Sequence, residues 1–231
     1  TESISNITRL LELVKIPTDT IKPGKIQEGK YFILAGNIEA GETGYNTTIN
    51  YTDDTGDQTN YSNIGINDGG FAGTLDGRGF SVKGGVMQAG GIFGALDRAT
   101  IKDINFLNVS LWGANSTLLA GSAYYSTIEN VNITIAGTAD TIANPSYFFG
   151  VIASYRSSQL TLTKVNITAE NATLNKVFGS GWDCTASQYT CSKVVVKAKD
   201  VECLAVDSHN NNAKITEIPG VTVIKTATAE A

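Results

Sequence analysis

Asp76 is the residue that most invites a chemical reading. It lies in Leu75-Asp-Gly-Arg-Gly79. An aspartate on a turn can act as acid, base or nucleophile in sugar cleavage. That chemistry takes two or three carboxylates close together, with His, Arg or Lys beside them. No Asn-Thr-Asp, Asp-Asp or His-Gly cluster recurs along the repeat described below. The simpler reading is a turn whose glycines take positive φ. His209, the only histidine, lies in Ser208-His-Asn-Asn-Asn212. That composition predicts an exposed turn, and one loop histidine supports neither a nucleophile triad nor a zinc site. Asp53, Asp54 and Asp57 cluster within the segment 40–68. Oxygen-rich loops of this kind hold calcium, yet the spacing does not fit an EF-hand, and solvated acidic loops are commoner.

The aromatic residues Trp112, Tyr124, Tyr125, Tyr147, Tyr155 and Trp182 fall near strand ends or turns. Several on one face would stack on sugar rings; singly they fill corners. The cysteines are Cys184, Cys191 and Cys203. A Cys184–Cys191 bridge would suit an exported chain and leave Cys203 free; unbridged, Cys191 and Cys203 read as small buried apolar residues. Eight Asn-x-Ser/Thr triplets begin at Asn6, Asn46, Asn60, Asn108, Asn115, Asn132, Asn166 and Asn171. Several are simply the polar alternation of strands. No catalytic, cofactor-binding or metal-ligating residue is assigned from these patterns.

The chain has 231 residues, 42% hydrophobic and only 17% charged, with a net charge of -5. The low charge is made up by Thr, Ser, Asn and Gly, a surface common in secreted β proteins. The acidic balance argues against a nucleic-acid partner. Lys193, Lys197 and Lys199 alternate with apolar residues like the solvent side of a strand. No apolar run is long enough to span a membrane. Near the start, Ile7, Leu10, Leu11 and Val14 form one helical stripe, with Ser5 as N-cap and Pro17 as terminator.

From Phe71 the chain repeats. Thr100-Ile-Lys-Asp-Ile-Asn-Phe106 is followed by Thr127-Ile-Glu-Asn-Val-Asn-Ile133, Leu162-Thr-Lys-Val-Asn-Ile167, Cys191-Ser-Lys-Val-Val-Val196 and Ile215-Thr-Glu-Ile218. The matching apolar positions are Ile104, Val131, Val165, Val194 and Ile218. A second landmark runs through Gly91-Ile-Phe-Gly94, Leu118-Leu-Ala-Gly121, Phe148-Phe-Gly150, Val177-Phe-Gly179 and Glu202-Cys-Leu-Ala205. Each unit thus carries two short strands. One coil alone cannot cover its inward side chains, so several must stack. The pattern predicts an all-β chain, a right-handed parallel β-helix (solenoid) with an N-terminal capping helix. It reads as one domain over 1–231: a helical cap at 1–20, a first coil with a long loop insert at 21–70, and stacked coils at 71–231. A β-sandwich would need turns every 8–12 residues and cleaner alternation. One Thr column begins at Thr100 and Thr127, but no Thr-x-Thr array of the kind that binds ice follows it.

Three segments carry a family resemblance. Gly29-Lys-Tyr-Phe-Ile-Leu-Ala-Gly-Asn-Ile38, Phe71-Ala-Gly-Thr-Leu-Asp-Gly-Arg-Gly-Phe80, and Gly91-Ile-Phe-Gly94 with Ala99-Thr-Ile-Lys-Asp-Ile104 resemble bacterial cell-surface β-helix domains with GLUG-like repeats. Order and spacing agree over about residues 5–135, and more weakly to 224. The resemblance implies a right-handed parallel β-helix and an extracellular or cell-surface bacterial module, often part of a longer chain. It further implies adhesion or binding to glycans or surface proteins. Asn37 stands where that family has Asp, and the insert at 40–68 is long. The expectation is a non-catalytic, monomeric binding module; the alternatives are a polysaccharide lyase or glycoside hydrolase on the same scaffold, and a structural spacer.

Overall fold

The computed structural model describes residues 1–14, 25–45, 50–52, 58–60, 70–87, 90–111, 116–138 and 150–226. Pro17, Trp112, Tyr147 and the Asp53–Asp57 cluster lie outside these residues.

The broken alternation of the sequence has a local cause. In the strand Thr100–Leu111, the buried residues are Ile101, Ile104, Phe106, Val109 and Leu111. The interval from Ile101 to Ile104 is three residues, not two. Between them Asp103 takes φ 52, a left-handed conformation that turns the chain and restarts the alternation. The same bend recurs at Asn130, Lys164 and Lys193, with φ of 52, 53 and 55. Asp and Asn tolerate this region; the two lysines are held in it by their neighbours at a cost of about 1–2 kcal/mol each.

Two long sheets result, and the chain passes back and forth between them. The first runs Glu2–Ile4, Tyr31–Leu34, Thr74–Asp76, Thr100–Leu111, Thr127–Thr138, Leu160–Leu174, Val194–Val201, Val221–Lys225. The second runs Lys25–Ile26, Gly70–Phe71, Ala95–Asp97, Ala120–Tyr124, Ala153–Ser158, Ser180–Gly181, Ala205–Asp207, Ala213–Ile215. Neighbours within each sheet are parallel, except the final pair Ala205–Asp207 and Ala213–Ile215. A separate antiparallel ribbon joins Asn50–Thr52 to Gln58–Asn60. Parallel pairing on this scale rules out the antiparallel sandwich.

The register places Ile104, Val131 and Val165 in one line. Asn166 faces Val195, which sets Val194 against Val165. The fifth member is Val221, which faces Val194, not Ile218. Ile218 is buried but lies in the turn before the strand. There Pro219 and Gly220 (φ 85) form the bend, and the Val221 N–H donates to the Ile218 carbonyl at 3.1 Å. The second landmark also shifts in its third copy. Leu118 N–H donates to the Val151 carbonyl and Ile152 N–H to the Val177 carbonyl. Val151 and Ile152 therefore occupy the place expected for Phe148-Phe-Gly150; the two phenylalanines lie outside the described residues.

The helix is shorter than its apolar stripe, Ile7–Glu12, and its N-cap is Asn6 rather than Ser5. The Asn6 side chain accepts from the Arg9 N–H at 2.9 Å, satisfying a first-turn donor. Ser5 comes one residue too early because the preceding Glu2–Ile4 pairs with Phe32–Leu34 as a strand. Leu10, Leu13 and Val14 are buried, with Ile7 and Leu11 packed at the margin. Behind them the first coils are filled by Phe32, Phe71 and Phe93, whose rings lie 6.2 and 4.9 Å apart in sequence.

Candidate functional site: one corner of the stack

Several strands of the second sheet end at a left-handed bend. Asp97, Tyr124 and Ser158 stand opposite one another. The next residues, Arg98, Tyr125 and Gln159, all take left-handed φ (58, 49 and 53). Asp183 does the same one coil further on, with φ 50, since Arg156 faces Ser180. Gly181 faces Asp207, so His209 follows Asp183 in the last coil. Five residues that follow five successive strands of the second sheet thus form a ridge: Arg98, Tyr125, Gln159, Asp183 and His209. Neighbouring coils are spaced about 4.8 Å apart.

The ridge carries paired rings and charges. The Arg98 guanidinium lies 4.7 Å over the Tyr125 ring and binds the buried Asp97 carboxylate at 2.5 Å. At the other end, the His209 and Trp182 rings stack at 4.2 Å and 13°. The His209 Nδ1 pairs with Asp183 Oδ1 at 2.5 Å, and its backbone N–H donates to Asp207 Oδ1 at 3.0 Å. The hydrogen bond with Asp183 and its charge raise the His209 pKa above the ordinary imidazole value. Trp182 is 66% exposed and Tyr125 45% exposed. Arg98 covers one face of the Tyr125 ring and His209 one face of the Trp182 ring, and the carboxylates of Asp97, Asp183 and Asp207 outnumber the Arg98 guanidinium and His209 imidazole.

Of the aromatic candidates, Tyr125 and Trp182 share this ridge. Tyr124 is buried. Tyr155 is half-buried beside the Arg156 guanidinium. His209 is exposed as expected, but its partners Asp183 and Trp182 carry no sequence signal. The contacts join residues 26 or 27 apart, and the corner position holds a different residue type in every coil. The one signal available was the residue two before each strand-opening Thr: Arg98 before Thr100, Tyr125 before Thr127, Gln159 before Thr161.

Asp76 meets different surroundings on the outer face of the first sheet. Its carboxylate accepts from the Tyr31 hydroxyl and the Arg78 N–H, and Lys102 Nζ lies 3.5 Å away. Burial works to raise its pKa, but these three donors outweigh it and hold Asp76 below the ordinary carboxylate range. This is a saturated ion pair, unlike a general acid poised near neutrality. The turn also departs from expectation. Arg78 and Gly79 take positive φ, whereas Gly77 is fixed by space: a Cβ there would lie 2.4 Å from the Ile104 Cβ.

All three cysteines are free thiols. The Cys184 thiol and the Tyr189 hydroxyl are 3.3 Å apart, and Tyr189 also bonds Ser157. Cys191 stands against Leu162 as the repeat implied, half-buried, with burial pushing its thiol up to about 11. Cys203 is buried, and its thiol donates to the Asn175 carbonyl. The Thr column is longer than the repeat suggested. Thr74, Thr100, Thr127, Thr161 and Thr190 stand in line. The next outward column holds Asp76, Lys102 and Glu129, so no flat Thr-x-Thr face forms. Lys193 and Lys199 are exposed, and Lys197 pairs with Glu170.

No described helix is long and apolar enough to cross a membrane. Compared with protein-family models, with curated proteins and with solved structures, the chain finds no match.

Proposed function

We propose that the two sheets are faces of a right-handed parallel β-helix that serves as an exported, cell-surface glycan-binding module. Strands that alternate between two parallel sheets, with bends at fixed points of each coil, support the helix. The right hand follows from the twist of the strands, which sets the hand of parallel crossovers almost without exception. The binding reading rests on the corner ridge. Tyr125 and Asp183 stand in one column two coils apart, roughly 10 Å along the stack, with Gln159 between them, and Trp182 lies one residue before Asp183 in the neighbouring column. Flat rings at that interval suit the apolar faces of sugars along a chain, and Gln159, Asp183 and Arg98 supply donors and acceptors for hydroxyls. The surplus of carboxylates on the ridge repels anionic glycans and so favours a neutral one. A glycan array with the purified chain tests this. Binding to neutral oligosaccharides that falls at least tenfold in Tyr125→Ala and in Trp182→Ala supports it. Binding unchanged in both variants, or none to any glycan, sinks it.

One observation favours a second reading, glycan cleavage. Asp183 and Asp207 both bond His209, beside the exposed Trp182. Asp183 pairs with the imidazole and Asp207 accepts from the backbone N–H, and a carboxylate–imidazole pair with a second carboxylate nearby, next to a sugar-stacking ring, is a grouping that hydrolysis or elimination uses. New reducing ends released from a polysaccharide, lost in Asp183→Asn and Asp207→Asn, would establish it. Binding without release leaves the module non-catalytic.

A further inference from the structure

We infer that Asn108 and Asn171 are acceptor sites for N-linked glycan in the folded chain, and that Asn6, Asn132 and Asn166 are not. This is separate from what the ridge binds. The eight Asn-x-Ser/Thr triplets are chemically alike, and the fold sorts those that are described.

An oligosaccharyltransferase needs two things from its acceptor. The side-chain amide must be free to attack, and the backbone must loop out so that the hydroxyl at the second following residue is read. Asn132 and Asn166 fail on both counts. Their Nδ2 groups donate along a ladder, Asn132 to Asn105 Oδ1 at 2.7 Å and Asn166 to Asn132 Oδ1 at 2.9 Å. Both lie in straight, paired strand. Thr134, the hydroxyl residue of the Asn132 triplet, already accepts from the Asn108 N–H at 2.8 Å. Asn6 caps the helix through its Oδ1, and Thr8 lies inside that helix.

Asn108 and Asn171 differ on each point. Both are exposed, and among the described residues no hydrogen bond holds either side-chain amide. Asn108 takes φ 54 at the register shift between Phe106 and Val109. Asn171 lies in the shift between Ala169 and Thr173, where the ladder to the next strand is interrupted. Each acceptor thus sits where its strand already bulges from the sheet. Both are at the far end of the long strands, away from the corner ridge, so a glycan on either leaves Tyr125 and Trp182 uncovered.

The reaction uses a lipid diphosphate-linked oligosaccharide. The Asn amide nitrogen bonds to sugar C1, the C1–oxygen bond to diphosphate breaks, the lipid diphosphate leaves, and the amide proton passes to a carboxylate of the transferase. The test takes the purified, folded chain with Asn46, Asn60 and Asn115 changed to Gln. It is incubated with a single-subunit oligosaccharyltransferase of relaxed specificity and a dolichyl diphosphate chitobiose donor, and occupancy is mapped by glycopeptide mass spectrometry. Circular dichroism checks the fold, and the urea-unfolded chain serves as the control. The expected result is glycan on Asn108 and Asn171 at least tenfold above Asn6, Asn132 and Asn166, a preference erased on unfolding. Asn108→Gln and Asn171→Gln each remove one site. Equal occupancy of all five in the folded chain, or modification only after unfolding, overturns the assignment.

Discussion

Lys176 shows how far a single residue can set the behaviour of the chain. It is 4% exposed, its Nζ lies 3.3 Å from Ser180 Oγ, and burial lowers its pKa to about 8. The unfolded chain keeps the ordinary value of 10.5, so between about pH 8 and 10.5 the unfolded state binds more protons. Stability must rise with pH through that window. Below it, the buried charge costs about 3 kcal/mol. From about pH 9 the buried thiols of Cys191 and Cys203, raised to about 11, work in the opposite sense. The clean interval is therefore about pH 8 to 9. Urea midpoints should climb across it, and Lys176→Met should raise the pH 7 midpoint and flatten the climb. A wild-type midpoint that falls over this interval would show the ammonium to be well accommodated.

At the scale of the element, the left-handed bend explains both what the sequence disclosed and what it hid. The pattern of one apolar, two polar, then one apolar residue was visible because Asp103, Asn130, Lys164 and Lys193 each hold such a bend. Gly77 serves the same corner by leaving room: an added Cβ would lie 2.5 Å from the Asp103 carbonyl oxygen and 2.4 Å from the Ile104 Cβ. Both are fixed in the core, so Gly77→Ala should cost about 2–3 kcal/mol. Gly36→Ala, with nothing within 4 Å, should be nearly neutral. Thermal unfolding of the two variants checks this, and equal melting temperatures would refute the packing argument. Where inward positions alternate around a bend, the strands of the first sheet were legible. Ile218 was misplaced because its Ile-Thr-Glu-Ile pattern imitates a strand while Pro219-Gly220 makes a turn. The third landmark slipped because Phe-Phe-Gly imitates Ile-Phe-Gly. The corner ridge left only its position before the first-sheet Thr column as a signal, because no residue type repeats along it and its ring and charge partners lie 26 or 27 residues apart.

On the β-helix proposed above, the whole molecule depends on covering the ends of the stack. On that reading the cover at the first end is helix Ile7–Glu12, which follows the edge strand Glu2–Ile4 and carries the buried Leu10 with Leu13 after it. Leu10→Glu would force a carboxylate into that contact and bare the edge strand Glu2–Ile4, an invitation to intermolecular pairing. Light scattering should detect aggregates in this variant at concentrations where the wild type scatters as a single species. Scattering identical to wild type would mean that the helix is not the cover. At the other end the last strand, Val221–Lys225, leaves Val221 and Val223 half-exposed beside a pocket of about 590 Å³ lined also by Val201, Cys203 and Ile218.

The corner ridge carries the functional account, and Trp182 can report on it directly. The chain has two tryptophans, so Trp112→Phe leaves Trp182 as the sole indole. Its fluorescence should be titrated with the neutral oligosaccharide found by array. The account predicts a saturable change in Trp182 emission at the affinity of binding, with that affinity at least tenfold weaker once Tyr125 is changed to Ala. Full binding with Trp182 emission unmoved, and with Tyr125 dispensable, would contradict it.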